Sequence, residues 1–162
     1  MSLGAPSAKG RALRLLARRE HSRTELERKL AAQVEDTPQA GAAEQIAQAL
    51  DELAARGLQS DERAAQSVLH SQGRRYGALR LKETLRAKGL APELVAATLA
   101  QARNSELERA REVWRKRFGE PAPDAAGRAK QMRFLAGRGF AADVIRAVVR
   151  GSEDDDPAPS GD

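Results

Sequence analysis

Four spacings in the second half of the chain agree: Leu85 to Leu135, Gly89 to Gly139, Val95 to Ile145 and Leu99 to Val149 are each 50 residues. An order of apolar, glycine, apolar, apolar repeated in one register makes each copy a small supersecondary unit that buries its apolar side against the next. Arg63 and Arg109 lie 46 apart, and the four-residue shortfall fits a longer loop around Pro121 and Pro123 in the last copy. The first copy aligns more loosely, its longer loop falling between Leu30 and Ile46. These spacings predict an all-α chain of three tandem three-helix repeats, stacked into an elongated, curved array. The expected division is a flexible leader over 1–10, repeats over 11–57, 58–103 and 104–150, and an acidic disordered tail over 151–162.

Helical periodicity fills in each repeat. In the first, Leu13, Leu16 and Ala17 mark a short helix that stops near His21, and Ser22 with Glu25 forms a capping box for a second helix carrying Leu26 and Leu30. After a loop containing Pro38, Ile46, Ala49, Leu50 and Leu53 define a third, which Gly57 ends. In the second repeat Ser60 or Asp61 caps a helix with Ala64, Ala65, Val68 and Leu69 on its buried side. Gly77 breaks the path before Ala78, Leu81 and Leu85, and Gly89 and Pro92 separate that helix from one carrying Val95, Thr98, Leu99 and Ala102. The third begins with a second expected capping box, Ser105 and Glu108, and continues through Ala110, Val113, Trp114 and Phe118. Ala129, Met132 and Leu135, then Val144, Ile145, Val148 and Val149, mark the last two helices. Aromatics are only 3% of the residues, so each cluster is expected to be thin.

Charge narrows the function. The net charge of +5 hides an asymmetry, since residues 151–162 carry five acids and no base, leaving 28 bases against 18 acids in residues 1–150. Twenty-two of the bases are arginine, suited to phosphate, carboxylate and aromatic stacking, so an acidic or polyanionic partner is expected. Cysteine is absent, which excludes disulfides and thiolate chemistry and agrees with a cytoplasmic address. No stretch approaches the ~20 apolar residues of a membrane span, and MSLGAPSAKG does not resemble a signal peptide.

Catalysis finds little support. His21 lies beside a helix boundary and His70 on a basic helix, both in the pattern of ordinary surface or boundary histidines, and no metal-ligand spacing accompanies either. Gly137 and Gly139 follow a helix instead of a strand, so they do not make a phosphate loop, and Asp154 to Asp156 belong to a solvating tail. Neither an enzyme, a cofactor nor a small-molecule substrate is expected.

The basic clusters carry more information. Arg74, Arg75 and Tyr76 precede Gly77 at a turn, and Lys82 and Arg86, four apart, project from the side of a helix opposite Leu81 and Leu85. Such a cluster can contact phosphates, stack a base on the tyrosine, or pair with carboxylates of another protein. A second cluster, Arg111, Arg115, Lys116 and Arg117, surrounds Trp114, itself expected in the core. The candidate contact residues are Arg74, Arg75, Tyr76, Arg80, Lys82, Arg86, Lys88, Arg111 and Arg115. Three-helix units also suggest a helix-turn-helix reader, although Thr24, Glu25 and Glu27 suit an anionic groove poorly.

The stretch SDERAAQSVLHSQGRRYGALRLKETLRAKGL resembles the signature of the RecX family, regulators of the bacterial RecA recombinase. Gly57, Leu58, Asp61, Arg63, Arg74, Gly77, Leu81, Glu83, Leu85, Lys88, Gly89 and Leu90 carry the likeness, which extends over roughly 11–150. Ala64 and Ala65 depart from it, standing where the pattern has a large aromatic. The resemblance implies three helical repeats and a cytoplasmic, non-catalytic negative modulator that binds the RecA nucleoprotein filament, limits its extension and lowers ATP hydrolysis and strand exchange. Recombinational repair and the SOS response would be regulated in this way, with weak non-specific DNA contact. The alternatives are an independent basic DNA-binding protein or transcription regulator, and a helical scaffold for another acidic protein.

Overall fold

A computed structural model describes residues 4–151, in which there are nine α-helices and no strand. They are α1 (Ala8–Leu16), α2 (Arg23–Ala31), α3 (Ala42–Ala55), α4 (Asp61–Gln72), α5 (Ala78–Ala87), α6 (Pro92–Asn104), α7 (Glu106–Arg117), α8 (Ala125–Gly137) and α9 (Ala142–Gly151). The expected acidic tail, with Asp154 to Asp156, lies outside the described residues beyond Gly151.

Local signals account for most helix ends. Ser22 accepts from the Glu25 backbone N–H while the Glu25 carboxylate accepts from the Ser22 N–H, a complete capping box that satisfies two otherwise orphaned donors. Ser60 Oγ accepts from the Arg63 N–H at 3.2 Å at the start of α4. Gly57 and Gly139, at φ +71° and +81°, close α3 and α8 in Schellman turns, with Leu58 N–H donating to Leu53 C=O and Phe140 N–H to Leu135 C=O.

Three expectations are corrected. The leader ends sooner than residue 10, because Ser7 Oγ accepts from the Gly10 N–H and starts α1 at Ala8. The buried side of α1 is Ala8 and Ala12, flanked by Leu15 and Leu16, while Leu13 is exposed. The box at Ser105 does not form: its hydroxyl turns to the Ala102 carbonyl and to Arg109 and makes no cap bond.

The described residues divide into two compact units, the first running to Ser67 and including Leu85–Leu94, the second comprising Val68–Thr84 and the described residues from Val95 onward. In the first, α1 and α2 pack on α3 around Leu26, Leu30, Ile46, Leu50 and Leu53, with Ala8, Ala12 and Ala49 at the close approaches. In the second, α7 and α8 pack on α9 around Trp114, Leu135, Phe140, Ile145, Val148 and Val149. Each large side chain taken from water contributes about 1.5–3 kcal/mol, so five or six per cluster make a modest core. Trp114 is a core residue, its indole N–H donating to Gln131, whose amide in turn donates to the Glu120 carbonyl. Ala64 and Ala65, where the resemblance leads one to expect a large aromatic, are buried. The middle repeat is divided between the units: residues 60–67 and 85–94 belong with the first, and 68–84 and 95–103 with the second.

Candidate functional site

Each unit contains one joint of the same design, in which the N-terminus of a middle helix abuts the glycine turn after the next middle helix. In the first unit Ser22 Oγ donates to the Lys88 carbonyl at 2.6 Å and Thr24 Oγ1 to the Gly89 carbonyl at 3.3 Å. In the second, Gly77 N–H donates to the Arg138 carbonyl at 2.8 Å and Leu79 N–H to the Gly139 carbonyl at 3.1 Å. A carboxylate braces each joint: Asp61 accepts from the Arg23 N–H at 2.9 Å, whereas Glu106 accepts from the N–H groups of Ala78 and Ala141, both at 3.2 Å. Those contacts occupy Glu106 in the tertiary structure, at 3% exposure, and favour anions at two helix N-termini together. Gly77 and Gly139 have no room for a side chain, since a Cβ on either would stand 2.4–2.5 Å from atoms of the opposing element.

The electrostatics of the two joints differ. At the first, Glu25, the third helical residue of α2, bonds Lys88 and Arg19, and Glu20 pairs with Arg63 at 3.0 Å. Burial alone would raise the Glu25 carboxyl, but bonds from Lys88, the Ser22 backbone and Arg19 outweigh it and hold the group down at about 2. His21, before the cap, is 2% exposed and therefore no surface histidine. Its Nδ1–H donates to the Arg19 carbonyl at 3.0 Å and its Nε2 faces the Lys29 ammonium at 3.3 Å, a donor, so the ring is neutral. Burial is the largest cause of its lowered pKa, reinforced by the charges of Arg19 and Lys29.

At the second joint the corresponding places hold Tyr76, Arg80 and Arg138, and no acid. Arg80, the third helical residue of α5, lies 4.1 Å over the Tyr76 ring, with Arg75 and Arg138 each at 5.7 Å. Arg138 also covers Phe134 at 5.1 Å, as Arg117 does at 5.7 Å. Among the described residues, Arg74, Arg75, Arg80, Arg117 and Arg138 take part in no ion pair. Cation–π contact offsets part of their mutual repulsion, at ~0.5–1 kcal/mol per contact near solvent. Beside them opens a groove of about 510 Å³, rimmed by Arg74, Arg75, Lys116, Arg117 and Arg138 over a floor of Val113 and Phe134.

Arg109 holds this hinge in shape. Its guanidinium donates to the carbonyls of Gly73 at 2.6 Å, Tyr76 at 2.8 Å and Ala102 at 2.7 Å, fixing the turn that carries Arg74 and Arg75. Burial lowers its pKa, opposed by the neighbouring Glu106 charge.

Of the residues expected at the site, Arg74, Arg75, Tyr76 and Arg80 come together. Lys82 and Arg86 lie on α5, half-buried and exposed respectively. Lys88 is occupied by Glu25, so its charge is already matched within the chain. Arg111 and Arg115 are exposed on α7 but do not line the groove, to which that helix contributes Lys116 and Arg117. Arg138 and Phe134 were not expected; the signal that could have found Arg138 is its 50-residue spacing from Lys88. Among the described residues no group of three His, Cys, Asp or Glu is placed to hold a metal ion, and no helix is long and apolar enough to cross a membrane.

Three family models match the chain in order: RecX first three-helix domain over residues 8–38, second over 60–99 and third over 104–149. The regulatory protein RecX of Leptothrix cholodnii is 49% identical over 144 residues, covering 89% of this chain and 88% of that protein. The regulatory protein RecX of Chromobacterium violaceum is 44% identical over 156 residues, covering 96% and 97%. Among solved structures, the crystal structure of RecX from Lactobacillus salivarius superposes with a TM-score of 0.73 at 18% identity, covering 90% of this chain and 94% of that one. A second crystal structure, of a regulatory protein RecX, gives 0.68 at 21% identity over 91% and 72%.

Proposed function

The chain belongs to the RecX family of regulatory proteins, and on that premise we propose that it is a negative modulator of the RecA recombinase. It binds the RecA–DNA filament in the cytoplasm, limits filament extension, and lowers ATP hydrolysis and strand exchange, restraining recombinational repair and the SOS response. It performs no catalysis of its own. The observation that supports this reading is the second joint, where Arg80 takes the place that Glu25 holds in the first and the arginines around Tyr76 form no ion pair. A cluster of arginines with no carboxylate partner is suited to a polyanionic assembly, and several weak contacts along a filament add up through effective concentration.

The direct test adds purified chain to RecA assembled on single-stranded DNA and follows ATP hydrolysis, which is expected to fall. An unchanged rate with the chain bound to the filament would sink the proposal. Replacing Arg74, Arg75, Lys82 and Arg86 with alanine is expected to abolish inhibition while far-ultraviolet circular dichroism stays constant. Submicromolar, sequence-selective DNA binding without recombinase would favour an independent DNA-binding protein instead.

A further inference from the structure

We infer that the groove beside Tyr76 takes a short run of single-stranded nucleic acid, with Arg74, Arg75 and Arg138 on its phosphates and a base against Phe134 and Val113. This deepens the filament reading by assigning one nucleic-acid contact to named residues, and rests on that reading only for its setting.

Internal comparison carries the inference. The joint does not require a cationic rim, because its counterpart is built with Glu25 against Lys88 and Arg19. Where Glu25 stands in the first joint, Arg80 stands in the second, and Arg138 stands where Lys88 does. At the second joint, then, Arg138 has no carboxylate partner of the kind that Lys88 has in Glu25, and its charge is available to an anionic ligand.

The lining selects the ligand's class. Planar guanidiniums match phosphate oxygens two at a time, and the groove presents several of them with no carboxylate on its rim. Arg117 and Arg138 lie over the Phe134 ring, so a base entering the groove meets an aromatic face or a guanidinium plane, both of which stack bases without regard to sequence. An acidic peptide fits less well. The groove walls come from α7, α8, the end of α4 and the turns after α4 and α8, and no strand there offers a free edge to an extended peptide, whereas a nucleic-acid strand needs only phosphate contacts and stacking. The volume of about 510 Å³ suits one or two nucleotides and not a duplex.

The test uses the full chain without recombinase, measuring fluorescence anisotropy of a labelled 15-nucleotide oligothymidylate against an abasic oligomer of the same length. Oligothymidylate is expected to bind at least about fivefold more tightly, and Phe134→Leu to remove that preference while leaving abasic binding unchanged. Arg74→Ala, at an exposed side chain without an ion pair, is expected to weaken both oligomers and to lower the salt slope by roughly 0.7 for each phosphate that the variant leaves unneutralised. Arg138→Ala serves as the second variant, with circular dichroism confirming its fold. Equal affinity for the two oligomers, no change on substituting the arginines, or displacement by polyglutamate as readily as by unlabelled oligothymidylate would overturn the assignment. Loss of filament inhibition with oligonucleotide preference intact would count against the filament proposal and leave this one standing.

Discussion

Glu25 and Arg80 hold the same place, the third helical residue after the cap, in two joints of one design. The acid bonds Lys88 and the Ser22 N–H, while the base lies 4.1 Å over Tyr76, with Arg138 beside the same ring. One joint has its electrostatics closed within the chain and the other is left positive. A repeat that needs its joints for cohesion can vary one of them for binding, because hydrogen bonds to the glycine turn and the bracing carboxylate remain.

Arg80→Glu should therefore separate stability from function. A carboxylate in the first turn of α5, facing Arg138, is expected to leave stability unchanged or raise it by about 0.5–1 kcal/mol. The same variant should inhibit filament ATP hydrolysis several-fold less. Thermal unfolding and the hydrolysis assay measure the two effects independently, and equal losses in both would show that Arg80 is structural.

Two glycines with nearly the same backbone should respond differently to alanine. Gly57 has φ +71° and open space, so Gly57→Ala is expected to cost only the left-handed strain, about 1 kcal/mol. Gly139 has φ +81°, and a Cβ there would stand 2.5 Å from Arg80 Cβ and 2.7 Å from the Arg80 backbone nitrogen. Gly139→Ala is expected to cost roughly 3 kcal/mol or more, through separation of the joint. Urea denaturation compares the two directly.

Acid should weaken the first unit in two stages. His21 has a folded-state pKa lowered from 6.5, so the folded state holds fewer protons and stability begins to fall as pH drops below that value. Glu25, held down from 4.5 to about 2, contributes stability that is complete above pH 4.5 and lost as pH falls toward 2. Its linkage amounts to ~3 kcal/mol at most, and nearer ~1.5 once solvent screening is allowed for. Glu25→Gln is expected to be less stable at pH 7 and to lose the second stage; parallel stability profiles for the two proteins between pH 5 and 3 would contradict the assignment.

Arg109→Lys should loosen the hinge. An ammonium cannot reach the carbonyls of Gly73, Tyr76 and Ala102 together, and the bonds left unmade are expected to cost about 2–3 kcal/mol. Amide exchange should quicken at residues 73–77 before it does in α9. Unaltered exchange there would mean that the turn holds its shape without the guanidinium.

Much of the fold was legible because its signals are local or periodic. The box at Ser22 and Glu25, the cap at Ser60, the left-handed glycines, and the buried sets Ile46, Ala49, Leu50, Leu53 and Val95, Thr98, Leu99, Ala102 require only neighbours within a turn or two of helix. The site was legible only as the cluster at Arg74, Arg75, Tyr76 and Arg80, since arginines near a turn look alike whether they brace it or face solvent. Arg109 spends its donors on carbonyls 33 and 36 residues away, and Lys88 meets a carboxylate 63 residues away. Nothing local announces either fate.

Ser105 marks the dividing line. Its motif with Glu108 is as good as that of Ser22 with Glu25, yet the Ser105 hydroxyl bonds the Ala102 carbonyl and the Arg109 guanidinium, and the box is not made. Helices, their caps and the 50-residue period follow from the order of residues, because the relevant energies act along the chain. Which cations remain unmatched follows from packing, because a charge is satisfied or left open only by what folding brings beside it. That is why Tyr76, Arg80 and Arg138 form an open positive site where His21, Glu25 and Lys88 form a closed one.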